Sequence, residues 1–389
     1  MRECERIRAA IIRGGTSKGV YLMESDLPAN PAIRDQVILN IYGSPDARQI
    51  NGLGGADPLT SKVALIKRSS HPEADVDYTF GYVGIADSHI DYSGNCGNIS
   101  SGVGPFAIDE GLVPVVEPVT ELRIFNTNTK KLIEAEVPVK DGKAVTEGDF
   151  SIDGVPGTGA KILLNFLKSG GAKTGKLLPT GNRVDEITLK DGRKINVSIV
   201  DAATPAVFAK AADLGFTGKE LPEDTKSKPE ILDVMEEIRC ICAEMIGLAT
   251  SREKATVEAP AVPKVMIVAP PQDCVTSEGK QIPKDNIDLV ARTKALAVMH
   301  KAFAVTGGIC TATAALIDGT VVNDVVGATA KDTGSVRIGH PGGILEFGIE
   351  LEVLDSGELF LKKAAVARTA RRIMDGFVYV PTKIFWQKQ

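Results

Sequence analysis

Cys96 stands at the end of a turn and at the head of a run of very small residues. The stretch reads Asp91-Tyr92-Ser93-Gly94-Asn95-Cys96-Gly97-Asn98-Ile99-Ser100-Ser101-Gly102-Val103-Gly104-Pro105-Phe106-Ala107 and closes at Gly111. This pattern predicts a loop feeding the N-terminus of a buried helix, with the cysteine at or just before the cap. The positive end of a helix dipole and its unpaired N–H groups favour negative charge there, which suits a reacting thiol, a carboxylate or an enolate. The plain alternative is a structural cysteine in a glycine-rich turn, since free Cys is commonly buried.

A second stretch repeats the layout. Val305-Thr306-Gly307-Gly308-Ile309-Cys310-Thr311-Ala312-Thr313-Ala314-Ala315-Leu316-Ile317-Asp318-Gly319 sets Thr306-Gly307-Gly308-Ile309 where Cys96-Gly97-Asn98-Ile99 stands in the first. Small residues, an acidic residue and a closing glycine follow in both. Two such units about two hundred residues apart imply a duplicated domain, each half aiming a helix start at a shared cleft.

The elements that must hold these helices are mostly strands. Arg6 to Ile12 reads as a strand, Arg13-Gly14-Gly15-Thr16-Ser17-Lys18-Gly19 as a turn, and Val20 to Met23 as the returning strand. Pro31 to Tyr42 has helical spacing, and the glycine-rich run Asn51 to Lys62 leads into a strand at Val63. Residues 76–90 and 119–139 read as strands, and Asp153 to Gly159 as a loop. Gly170-Gly171 and Pro179-Thr180-Gly181-Asn182 mark a domain boundary. The first domain is then 1–182, with 376–389 able to return to it, and the second is 183–375.

Beyond that boundary, Ile195 to Val200 reads as a strand, with Asp201 to Phe208 the turn that ends it. Pro229 to Ile246 is an amphipathic helix on Ile231, Val234, Met235, Ile238 and Ile241. Asn286 to Met299 reads as a helix. Lys264 to Val268, Gly319 to Val326, Ser335 to Ile338, Ile344 to Leu354, Glu358 to Arg368 and Gly376 to Val380 read as strands. Strands outnumber helices without βαβ alternation, so the class is α+β.

With 389 residues the chain has room for two full cores. A net charge of −5 argues against a nucleic-acid surface or an anionic-membrane patch. No apolar run reaches membrane-span length and the N-terminus lacks a signal-peptide core. Cys4, Cys96, Cys240, Cys242, Cys274 and Cys310 are scattered, which suggests free thiols in a reducing cytoplasm. Lys18 is followed by Gly19, so the first turn is no phosphate loop, and Asp57 replaces the third glycine of a dinucleotide fingerprint. No Cys-x-x-Cys or His-Glu-x-x-His is present. Cys240 and Cys242 lie two apart on a helix, where side chains diverge.

Taken in order, Arg13-Gly14-Gly15-Thr16-Ser17-Lys18-Gly19, Gly54-Gly55 to Ser61-Lys62, Ser93-Gly94-Asn95-Cys96-Gly97-Asn98, Thr306-Gly307 and Ile338-Gly339-His340-Pro341-Gly342-Gly343 resemble the PrpF-type isomerases. The match runs nearly the whole chain. That family includes isomerases of 2-methylaconitate, 3-methylitaconate and 4-oxalomesaconate. The resemblance implies the diaminopimelate epimerase-like fold: two similar domains, each a central helix wrapped by antiparallel sheet. It also implies a cofactor-independent, metal-free enzyme that moves a double bond in a small di- or tricarboxylate by allylic proton transfer. The nearest reaction is 3-methylitaconate to 2,3-dimethylmaleate, with cis–trans isomerisation of 2-methylaconitate the alternative. A dimeric or tetrameric homo-oligomer goes with it.

Such chemistry needs a base at the carbon acid, an acid at the other carbon and stabilisation of a dienolate. The resemblance puts Lys62 in the active site as base, where the residues alone read as a solvated strand-end lysine. Cys96 is expected as its proton-donating or relay partner, and Ser17 as a further donor. Thr16, Gly97, Asn98, Thr306, Gly307, Gly308, His340 and Gly342 are expected to bind substrate. His340, beside Arg337, reads equally well as a hairpin histidine satisfied by backbone. His300 is a weaker candidate, and His71 and His89 read as structural or surface. Two-thiol epimerases carry a second cysteine where this chain has Thr306, with Cys310 one turn further on, so a symmetric two-thiol mechanism is not expected. Thr204-Pro205 likewise stands where the family commonly has Asn-Pro. The competing class is a non-catalytic small-acid binding protein, which has no need of Cys96 and Lys62 together.

Overall fold

The computed structural model describes residues 3–295 and 298–386. The chain divides into two compact units, Met1–Asn165 with Ala367–Gln389, and Phe166–Val366. Both boundaries fall earlier than the turn signals at 182 and 375 suggest. The Gly170-Gly171 turn and the loop after it fold back onto a strand of the second unit, with Gly171 N donating to Asp201 O and Asp201 N to Leu177 O. The last strand of the first unit starts already at Ala370.

The first unit opens with the hairpin β1 (Cys4–Gly14) and β2 (Ser17–Met23). Helix α1 (Pro31–Tyr42) follows, for reasons legible in its ends. Asn30 Oδ1 accepts from the N–H of Ala32 and Ile33, proline supplies the first helical residue, and Gly43 ends it at φ +72°. Then come β3 (Lys62–Arg68), β4 (Val76–Val83), the short helices α2 (Gly97–Ser100) and α3 (Val103–Asp109), β5 (Val119–Asn126) and β6 (Lys131–Lys140). In β6 the inward positions Ile133, Ala135, Val137 and Val139 alternate with outward ones, as a one-sided strand requires. The sheet is mixed: β2 runs parallel to β3 and β4 parallel to β5, while β3–β4 and β5–β6 are antiparallel. Helices α2 and α3 are buried against these strands almost throughout.

The second unit repeats the plan. β7 (Lys194–Ala202) and β8 (Thr204–Lys210) form the hairpin, α4 (Glu230–Met245) follows, then β9 (Lys264–Ala269), β10 (Leu289–Ala295), α5 (Val305–Ala315), β11 (Ser335–His340) and β12 (Gly343–Val353). β8–β9 and β10–β11 are parallel, β9–β10 and β11–β12 antiparallel, the same sequence of ladders. Helix α5 is buried at every residue, which explains its glycines, alanines and threonines. A Cβ on Gly308 would come within 2.3 Å of the Phe347 ring. The final strand β13 (Ala370–Pro381) belongs to the first unit and pairs antiparallel with β1 along its whole length.

Three expectations need correction. Residues 286–299 do not form a helix. Leu289 to Thr293 is instead a strand buried on both faces, and such a run lacks the alternation that separates strand from buried helix. Residues 296–297 lie outside the described ones. Gly319 to Val326 is a chain of turns, because side chains take over the backbone bonding: Thr320 Oγ1 donates to Ala314 O and Asn323 Nδ2 to Ala315 O. The turn read over Asp201 to Phe208 shrinks to Ala203 at φ +61°, and Thr204 already begins β8. No helix among the described residues is long and apolar enough to cross a membrane. All six cysteines are free.

Candidate active site

Within the first unit, two parallel neighbours bring the first set of side chains together. Ser17 opens β2 and Lys62 opens β3, with Gly19 opposite Lys62 in the ladder. A Cβ on Gly19 would meet the Lys62 carbonyl oxygen at 2.4 Å, so only glycine permits this approach. Tyr42, from the end of α1, donates its hydroxyl to that same carbonyl and accepts from Val20 N at 3.0 Å. One residue earlier, buried Ser61 donates to Val83 O at 2.7 Å and accepts from Gln49 at 2.9 Å. The start of β3 is therefore fixed from both sides before its lysine is reached.

Lys62 Nζ lies 2.9 Å from Ser17 Oγ and 3.6 Å from Cys96 Sγ. Cys96 caps α2 with extended backbone (φ −115°, ψ 102°), and its thiol makes no capping bond. Its carbonyl is taken by Ser100, through N–H at 2.9 Å and Oγ at 3.0 Å. The side chain is thus left to face Lys62. Gly97 and Asn98 form the first turn of α2. Asn98 Nδ2 donates to Thr16 Oγ1 at 3.0 Å, and Thr16 N donates to Asn98 Oδ1 at 3.4 Å. Gly15 lets this happen: its φ is +50°, and a Cβ there would sit 2.1 Å from Asn98 Oδ1. The phenols of Tyr21 and Tyr78 lie nearby. Burial first, and the nearness of Cys96 second, push both well above the usual phenol range, so they stay neutral.

Arg368 joins this group without a signal in the motifs. It is 5% exposed, its Cδ lies beside Gly15, and among the described residues its only hydrogen bond runs from NH1 to Ala367 O. Its Nε has no partner, and no carboxylate faces it among the described residues. Burial alone pushes its guanidinium down to about 10. An unpaired buried cation is expensive, so its place beside Thr16 and Asn98 suits an anion brought from outside. Residue spacing offers no cue to it, since it reads as the ordinary last residue of a strand, Leu359–Arg368.

The second unit gathers the rest. Thr306, Gly307 and Gly308 lie in the first turn of α5, which starts at Val305 with Ala304 as a cap lacking a side-chain bond. His340 ends β11, is buried, stacks on Phe303 at 5.8 Å and accepts the Gly342 N–H on Nδ1 at 3.0 Å. Phe303 precedes α5 closely, so His340 and Gly342 lie near the start of that helix. The Nδ1 of the histidine is engaged by the hairpin it closes. His300 accepts from Ala302 N through Nδ1 at 2.9 Å. Cys310 is fully buried and donates to Val200 O at 3.2 Å; burial pushes its thiol far up, so it is structural. Cys242 is likewise pushed up by burial, and Cys240 sits against Arg239 and Glu236. Among the described residues no three His, Cys, Asp or Glu side chains come together as metal donors.

The family model described as PrpF protein matches residues 4–381. The chain is 51% identical to 3-methylitaconate isomerase of Eubacterium barkeri over 381 residues, covering 98% of each. It is 38% identical to 2-methyl-aconitate isomerase of Shewanella oneidensis, covering 97% of each. Among solved structures, a methylitaconate-delta-isomerase superposes with a TM-score of 0.87 at 50% identity, covering 100% of this chain and 98% of that one. A hydroxyproline epimerase from Agrobacterium vitis superposes at 0.53 with 13% identity over 98% and 94%, a likeness of fold alone. The fold is that of the diaminopimelate epimerase and proline racemase group. Matched along nearly its whole length by family, relative and structure alike, this chain belongs to the PrpF protein family and is an isomerase.

Proposed function

We propose that the chain converts 3-methylitaconate to 2,3-dimethylmaleate by allylic proton transfer. The observation that carries the mechanism is the contact of Lys62 Nζ with both Ser17 Oγ and Cys96 Sγ. Three groups able to hold or pass a proton meet at the starts of β2, β3 and α2. Lys62 takes the proton from the methine carbon next to a carboxylate. The electron pair of that C–H bond passes into the carboxylate on the same carbon, giving an enediolate conjugated with the exomethylene double bond, a dienolate. A proton returned to the exomethylene carbon makes it a methyl group and leaves the double bond between the two substituted carbons. Cys96 serves as proton donor or relay to that carbon, and Ser17 holds the lysine by its hydrogen bond. The Arg368 guanidinium and the Thr16–Asn98 pair take a carboxylate, so that charge developing on it meets a cation and fixed donors.

The substrate assignment rests on the relative at 51% identity, and isomerisation of 2-methylaconitate is the second reading, supported by the relative at 38%. The test is incubation of purified protein with each acid in deuterated water, followed by NMR. The expected result is a new vinylic methyl carrying deuterium from 3-methylitaconate, at higher kcat/KM than 2-methylaconitate or 4-oxalomesaconate gives. Turnover of 2-methylaconitate alone would transfer the assignment to the second reading. No exchange with any of the acids would overturn the enzyme reading in favour of a binding protein.

A further inference from the structure

The glycine-rich run from Asn51 to Lys62 gives the site its lysine, and a residue just ahead of the run holds it in shape. Gln49 is 1% exposed and sits at φ +46°, a conformation that costs any residue other than glycine. Its side-chain amide is bonded at both ends. Oε1 accepts the Ala56 N–H at 2.8 Å, while Nε2 donates to Ser44 Oγ at 3.0 Å and to Ser61 Oγ at 2.9 Å. A backbone N–H can only donate, so the amide faces one way round. Ser61 Oγ in turn donates to Val83 O at 2.7 Å, and Val83 N donates to Ser61 O at 3.0 Å. A one-way chain of hydrogen bonds therefore runs from Gln49 through Ser61 into β4. The run is fitted to the amide, since a Cβ on Gly54 would lie 2.2 Å from Gln49 Cδ.

This chain bears directly on the reacting groups. Ser61 is the residue before Lys62, and two residues earlier Leu59 O accepts from Lys18 N at 2.9 Å, next to Ser17. The run thus sets the backbone beside Ser17 and at Lys62 together, and Gln49 ties it at two points, Ala56 and Ser61. A lysine side chain is long and flexible. Holding its nitrogen 2.9 Å from Ser17 Oγ and 3.6 Å from Cys96 Sγ depends on a fixed strand start. Losing the amide leaves the fully buried Ser61 hydroxyl one partner short, a cost that the start of β3 relieves by moving.

We propose that Gln49 is a positioning residue for Lys62, acting through Ser61. The inference rests on the reading of Lys62 as the base, and all of its residues lie within the first unit. Gln49→Met keeps the length of the side chain and removes the first donor; Ser61→Ala cuts the link alone. With 3-methylitaconate each is expected to lower kcat about tenfold or more, within the roughly hundredfold that a 1 Å misplacement costs, and to change KM by less than about threefold. The double variant should lose little more than either single one, as members of one network do. A readout apart from turnover is alkylation of Cys96 by iodoacetamide, followed by peptide mass spectrometry. A lysine nitrogen beside a thiol favours the reactive thiolate. Lys62→Met should therefore alkylate slowest, with Gln49→Met and Ser61→Ala between it and the wild type. Thermal melts check the fold. Wild-type alkylation or wild-type kcat in a folded Gln49→Met overturns the inference, as does a double variant whose losses simply multiply. If Gln49→Met does not fold, Ser61→Ala decides by the same two measurements; loss of the fold in both shows a structural role and overturns it too. Normal turnover in Lys62→Ala strikes the functional reading instead, and the alkylation rates still decide whether Gln49 holds the lysine in place.

Discussion

The two units share one frame and carry different chemistry. Each has a hairpin, a parallel third strand opened by a lysine, an antiparallel return, and a small-residue helix set against the sheet. In the first, the helix start bears Cys96 and the hairpin bears Ser17, both touching Lys62. In the second, the corresponding places bear Thr306 and Thr204, and the thiol of the helix, Cys310, is turned inward to a backbone carbonyl. A duplicated scaffold thus supplies two strand-start lysines and two helix starts, and only the first unit sets a serine and a thiol against its lysine among the described residues. The difference teaches that fold symmetry and mechanistic symmetry are separable, because the frame is set by registers while the chemistry is set by a few side chains at element ends.

The sharpest way to break this comparison is Lys62→Ala. Loss of a positioned base typically costs about 10²–10⁴-fold in rate, so kcat should collapse while circular dichroism stays unchanged. A near-normal kcat would mean that the first unit is no more catalytic than the second. Next in size is the contrast between the two thiols. Cys96→Ser is expected to lower kcat by an amount comparable to or smaller than that of Lys62→Ala. Cys310→Ala should leave kcat within about twofold and cost on the order of 1 kcal/mol of stability from the lost packing. If the two variants lose activity equally, the assignment of the working thiol to the first unit fails.

Arg368→Met offers a subtler test. Replacing an unpaired buried charge by an apolar chain of similar volume is neutral or stabilising. Thermal stability should therefore hold or rise while KM for the acid rises roughly tenfold, as expected for loss of a charge-assisted contact. A fall in both stability and activity would show a structural arginine.

The smallest effect concerns the second unit's own electrostatics. Burial alone would raise the Glu236 carboxyl, but hydrogen bonds from Arg239 and Lys294 overcome that and bring it to about 2. A carboxyl held below its unfolded value of 4.5 stabilises the fold above that pH, and this contribution is lost as pH falls from about 4.5 toward 2. Glu236→Gln should cost on the order of 1–2 kcal/mol at pH 7, discounted for its partial exposure. Denaturant melts should show the gap between variant and wild type closing below pH 4. A pH-independent gap would point to packing rather than charge.

Much of the scaffold is legible in the order of residues alone. Asn30-Pro31 and Gly43 announce α1, the apolar stripe from Ile231 to Ile241 announces α4, and the twin small-residue runs announce the duplication. The misreadings cluster where strands are buried on both faces. Leu289 to Thr293 is such a strand, so periodicity does not separate it from a helix. Reading Asp201 to Phe208 as one turn hides the strand that begins at Thr204. Without that strand the matching places of Lys62 and Lys264, each opening a parallel third strand, are invisible. Of the candidate site, Lys62, Cys96 and Ser17 follow from the motifs and meet in space. Arg368 escapes them because burial without a counter-charge is a property of three dimensions and leaves no mark in residue spacing.

The pairing of β1 with β13 has a consequence for how the chain is made. Cys4 lies opposite Pro381 and Gly14 opposite Ala370, and Gly15 N donates to Thr369 O at the hairpin that carries Thr16 and Ser17. Domains fold as units while the chain emerges from the ribosome. The second unit, continuous from Phe166 to Val366, is complete before the first, whose opening strand waits for a partner encoded after the whole of the second unit. Throughout most of synthesis that strand has a bare edge, a feature that invites pairing with other chains. The hairpin that carries Thr16 and Ser17 is accordingly completed only after β13 has been made. A chain released after Val366 is expected to yield a protected second unit by hydrogen exchange, an unprotected β1 and no turnover; protection of β1 in that fragment would refute the order.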